Sequence, residues 1–122
     1  MASGTKSIEN GLVLLWTNPS FSSDFTAKTV ALDLKSYDAI MLEMSTVLGD
    51  ATTTRVIRKG VTEMIHDLAT STSNLAFLYR QAQPTDTGVV FGGCSMRVQG
   101  QSSAQDRNQY LKPRYIYGVR FH

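Results

Sequence analysis

The chain has 122 residues, 42% of them hydrophobic and 18% charged, with a formal net charge of +2. That length suits one domain burying roughly two-thirds of its unfolded surface, which excludes both a stapled mini-protein and a disordered tail. Arg55, Arg58, Lys59, Arg97, Arg107, Lys112, Arg114 and Arg120 are scattered rather than striped, which argues against a nucleic-acid partner.

Residues 1–10 (MASGTKSIEN) are small and polar and are expected to form an N-terminal arm that reaches a neighbouring subunit. They lack the apolar h-region of a signal peptide. Residues 12–17 (LVLLWT) read as a first strand, apolar on both faces and therefore buried. This run is far too short to cross a bilayer. Asn18-Pro19-Ser20 stops it, because proline cannot donate to a ladder. A Ser-rich loop over 21–26 then carries Phe21 and Phe25.

Residues 28–34 (KTVALDL) alternate Val30, Leu32 and Leu34 against Thr29, Ala31 and Asp33, the signature of a half-buried strand. After a turn at Ser36-Tyr37-Asp38, residues 39–48 place Ile40, Leu42 and Met44 on one face and Met41, Glu43 and Ser45 on the other. The short connection predicts that these two strands form an antiparallel pair. Residues 52–59 (TTTRVIRK) are β-rich and end at Gly60.

The segment 61–70 (VTEMIHDLAT) is ambiguous. Met64, Ile65, Leu68 and Ala69 fit a helix, whereas Thr62, Met64, His66 and Leu68 fit a strand, which is the favoured reading. Residues 74–81 read as a strand with Leu75, Phe77 and Tyr79 on one side, and Pro84-Thr85-Asp86-Thr87-Gly88 is a turn signal. Two short β runs, 89–91 and 94–98, flank Gly92-Gly93, which predicts a bulge or tight bend inside a longer strand.

A polar loop over 100–108 leads to the last strand. There Tyr115, Tyr117, Val119 and Phe121 fall on one side, and Arg114, Gly118 and Arg120 on the other with Ile116 among them. Such alternation predicts one face on a core and one in water. Seven to nine short strands at spacings near ten residues define an all-β fold, an antiparallel, jelly-roll-like β-sandwich over 11–122. The expected core is Trp16, Val30, Leu32, Leu34, Ile40, Leu42, Phe77 and Tyr117, joined by Tyr79 and Phe91.

No catalytic, cofactor-binding or metal-ligating set can be named. His66 and His122 are the only histidines and Cys94 the only thiol, too few and too dispersed for a zinc site. The lone cysteine also excludes an intrachain disulfide. His66 and Asp67, as neighbours on a strand, point to opposite faces. Gly92-Gly93 lacks the spacing and following helix of a phosphate-binding loop. The candidate glycan or partner contacts are aromatic: Phe21, Phe25, Tyr37 and Tyr110, in loops or at strand ends. Arg114 and Arg120 are candidate interface residues.

Residues 14–18 (LLWTN), 25–34 (FTAKTVALDL), 37–39 (YDA) and 115–119 (YIYGV) together resemble a pattern in small proteins encoded in the tail region of phages and prophages of Gram-positive bacteria. The resemblance covers the beginning and end of the chain and carries no site residues. It implies a non-enzymatic virion protein, assembled in the host cytoplasm: a tail- or fibre-associated or capsid decoration module that self-assembles, with a trimer favoured. Such a module contacts other virion proteins through its surfaces and a host-surface glycan through its loops. The alternative is a free-standing carbohydrate-binding β-sandwich, for which Tyr110 would be the leading contact.

Overall fold

The computed structural model describes residues 12–45, 52–70 and 75–121. The expected arm at 1–10, the end of the third expected strand at 46–48, and His122 lie outside the described residues.

Among them there are ten strands and no helix, arranged as two antiparallel sheets. The first sheet runs β1 (Leu12–Thr17), β10 (Pro113–Val119), β3 (Ala39–Ser45) and β4 (Thr52–Arg58). The second contains β2 (Lys28–Ala31), β5 (Glu63–Thr70), β6 (Leu75–Thr85), β7 (Gly88–Phe91), β8 (Ser95–Val98) and the two-residue β9 (Gln105–Asp106). β6 is the spine of this second sheet. Its one edge pairs with β5, and its other edge pairs first with β7 and then with β8. β7 and β8 therefore lie end to end, with β2 beyond β7 and β9 beyond β8.

The break between β7 and β8 is the bulge that Gly92-Gly93 predicts. Ala82 pairs with Phe91 and Tyr79 with Ser95, so two residues of β6 face three across the gap. Such a mismatch kinks the strand and leaves carbonyls of the bulge unpaired by the ladder. The hairpin from β6 to β7 turns at Asp86 and Thr87. Gly88 is needed there, because a Cβ would sit 2.4 Å from the Val30 carbonyl oxygen across the β2–β7 pair.

The two sheets share one core. Ile40, Leu42, Met44, Ile57 and Ile116 from the first meet Val30, Ile65, Leu78, Ala82, Val89 and Phe91 from the second. Leu34, Phe25 and Leu111 close its ends, and Trp16, Leu32, Tyr37 and Tyr110 pack around it. Burial of this apolar surface, worth about 25 cal/mol per Å², contributes most to holding the sandwich together.

The β-sandwich expected from strand spacing is the observed fold, and residues 63–70 are a strand. Val30, Leu34, Ile40 and Leu42 are buried as expected, with Trp16 and Leu32 at the margin. Four local expectations are corrected. β2 and β3 do not pair: β2 joins β7 in one sheet and β3 joins β10 and β4 in the other, because the 32–38 connection crosses between layers. β1 is not buried on both faces, since it is an edge strand with Leu12 and Leu14 exposed.

The other two corrections invert a face. In β6, Ala76, Leu78, Arg80, Ala82 and Pro84 point inward, leaving Phe77 43% exposed. In β10, Ile116 and Gly118 point inward while Tyr115, Tyr117 and Val119 face out. Gly118 faces the core side because the Tyr37 ring occupies the space a side chain would need, only 2.6 Å from a hypothetical Cβ. Phe77 and Tyr117 are therefore not core residues.

Candidate functional site

Two regions carry the candidate residues: one end of the sandwich, where loops converge, and the outward faces of the sheets.

At the loop end, residues 18–27 and 99–112 come together. The Phe25 amide donates to the Asn108 carbonyl at 3.0 Å, and the Asn108 Oδ1 accepts the Cys94 amide at 2.9 Å. Beneath them lies Arg80, fully buried, a residue that no sequence motif singles out. Its guanidinium donates from Nε to the Leu111 carbonyl and from Nη1 to the Gly92 carbonyl, both at 2.8 Å, and from Nη2 to the Tyr110 carbonyl at 3.1 Å. No carboxylate meets it among the described residues; the acceptors are backbone dipoles. Burial lowers the Arg80 pKa to about 10, so it remains charged at neutral pH. Leu111 adopts φ +48°, a left-handed turn rare for a leucine, in the same segment that offers its carbonyl to Arg80.

This arrangement settles the fate of the loop aromatics. Phe25 is 3% exposed, edge-on to Phe91 and Trp16 and close to Arg80. Its ring is part of the core and not available to a glycan, which corrects that assignment. Phe21 is half-buried, with the Lys112 ammonium 4.9 Å and the Arg114 guanidinium 5.0 Å from its ring centroid. Tyr110 is half-buried, packed against the core, with its carbonyl held by Arg80. Tyr37 sits at the opposite end of β10, against Gly118 and 4.5 Å from the Arg120 guanidinium. The four aromatics form no common platform.

Arg114 and Arg120 flank β10 at its two ends. Arg114 lies over Phe21 and Tyr115. Arg120 donates from Nε to the Ser36 carbonyl at 3.1 Å. β10 itself is interior to its sheet, so its hydrogen-bonding edges are both taken by β1 and β3. Only its outward face is available to a partner.

Other chemistry is sparse. His66 is exposed on the outward side of β5, opposite Tyr79, while the Asp67 carboxylate accepts the Leu68 amide. Cys94 is buried, and burial raises its thiol pKa although the nearby Arg80 charge opposes this. No group of His, Cys, Asp and Glu suited to a metal ion occurs among the described residues. An open depression of about 420 Å³ is lined by Ala31, Leu32, Asp33, Lys35, Asp86 and Thr87. Its carboxylates are engaged: Asp33 accepts the Lys35 amide and Asp86 pairs with Lys59 at 2.8 Å. That hydrogen bond holds the Asp86 pKa below its ordinary value.

The outward sheet faces are the unusual feature. On the first sheet, Leu14, Tyr117, Met41 and Val56 stand in register across all four strands. Leu14 is 51% and Val56 55% exposed. The next row holds Leu12, Val119 and Arg58, with Ala39 fully buried between Val119 and Arg58. On the second sheet, Leu68 pairs with Phe77 and both are exposed, with Met64 nearby on β5. Single exposed apolar residues are ordinary, but contiguous apolar rows on a sheet face mark interaction surfaces. The sequence shows these residues plainly, yet they read as core until the inward face of each strand is known.

No protein-family model, curated protein or solved structure matches the chain.

Proposed function

We propose that the protein is a non-enzymatic structural module that self-assembles through its sheet faces, as a component of a phage particle. The apolar rows on the outward faces carry the self-assembly part of this reading. A sandwich whose solvent-facing positions include Leu14, Met41, Val56, Tyr117, Leu68 and Phe77 leaves apolar area in water that association removes. The virion context rests on the resemblance of the LLWTN, TVALDL, YDA and YIYGV segments to phage tail-region proteins. The free-standing glycan-binding alternative loses support from the burial of Phe25 and the dispersal of the remaining aromatics.

The experiment that tests the context is mass spectrometry of gradient-purified particles from an induced lysogen carrying this chain. The chain co-sedimenting at a fixed ratio to a major capsid or tail protein is the expected result. Its absence from particles while abundant in the lysate would contradict the reading.

A further inference from the structure

The first sheet carries more on its outward face than hydrophobicity, and we infer that this face is a two-fold interface with a second copy of the same chain. The inference rests on the self-assembly reading and names the surface that performs it.

The face is self-complementary about its central row. Leu14, Tyr117, Met41 and Val56 form that row. The row to one side has Tyr115 and Glu43 at its centre, and the row to the other has Val119 and Ala39. A two-fold axis along the central row stacks each strand on its own copy, running in the opposite direction. The row of Tyr115 and Glu43 of one copy then meets the row of Val119 and Arg58 of the other, Ala39 between them being fully buried. Facing sheets pack about 10 Å apart, a spacing that side chains of alternating size fill by interdigitation.

Charge follows the same symmetry. Glu43 on β3 and Arg58 on β4 stand on opposite sides of the central row, Arg58 over the Phe121 ring at 4.6 Å and Arg114 of β10 over the Tyr115 ring at 5.4 Å. Within the chain Glu43 and Arg58 are two rows apart, and the Glu43 carboxylate has no hydrogen-bonding or ionic partner among the described residues. The two-fold carries Arg58 of the second copy to the row of Glu43, one strand over, about 4.8 Å to the side. Each dimer gains this pair twice.

The test is the solution mass of the full chain across a concentration series, with variants whose folding is checked by thermal melting. Val56→Glu places an unpaired carboxylate in the apolar row and is expected to weaken the dimer about a hundredfold. Glu43→Arg and Arg58→Glu each oppose like charges and are expected to weaken it, and the double exchange is expected to restore it. Leu68→Glu, on the second sheet, probes the other apolar face, and Thr87→Glu, exposed in the β6–β7 turn outside both faces, is expected to change nothing. A dimer lost and regained in this pattern supports the inference. An oligomer insensitive to Val56→Glu but broken by Leu68→Glu, or a trimer, would overturn the two-fold face while the self-assembly reading stands. A wild-type monomer at every concentration would overturn both.

Discussion

Arg80 shows what one residue can hold together. A buried guanidinium that meets no carboxylate among the described residues is tolerable because the bulge at Gly92 and the turn at Tyr110 and Leu111 aim carbonyl oxygens at it. Removing the donor strands those carbonyls in the interior. Arg80→Met, which keeps most of the volume, is expected to cost about 3 kcal/mol in urea denaturation, and Arg80→Lys about 2 kcal/mol, because one ammonium cannot span the three acceptors. Wild-type stability in Arg80→Met would show that the carbonyls find other donors. In the sequence Arg80 is an isolated arginine in an apolar strand, with nothing to mark it. Gln81 and Gln83 on the opposite face of β6 are the one available sign that the Arg80 side points inward.

At the scale of the element, period-2 patterns locate strands well and orient them unevenly. β3 is legible because Ile40, Leu42 and Met44 form an uninterrupted apolar face. The Gly92-Gly93 bulge is legible because adjacent glycines have few other uses within a strand. β6 and β10 are misoriented because their outward faces carry the larger aromatics, while their inward faces carry Arg80 and Gly118. The pairing of β2 is not legible at all: its partner β7 lies far along the chain, Val30 against Val89, and local pattern holds no information on it. The β6 orientation makes a direct prediction. Leu78→Ala should cost about 3 kcal/mol, the usual range for emptying a core site, while Phe77→Ser next to it should cost less than about 1 kcal/mol. Chemical denaturation of the two variants decides it, and equal losses would contradict the inward assignment.

For the whole molecule, the same inversion that removes Phe77 and Tyr117 from the expected core creates the apolar faces proposed here for association. Leu14, Met41, Tyr117 and Val56 line the outside of the first sheet and Leu68 and Phe77 stand on the outside of the second, and the sandwich retains a complete core without them. Fold class is therefore readable from strand spacing, whereas the outward apolar faces emerge only when each strand's inward face is fixed by its neighbours. The loop end, expected to be a contact platform, is instead consolidated around Arg80, Phe25 and Asn108. The candidate contacts shift from loop tips to sheet faces.

Self-association stands or falls on the mass of the wild-type chain in solution, measured by light scattering coupled to gel filtration from micromolar to near-millimolar concentration. A dimer, or an assembly built from dimers, is the expected result. A monomer throughout that range would contradict both the two-fold face and the self-assembling role.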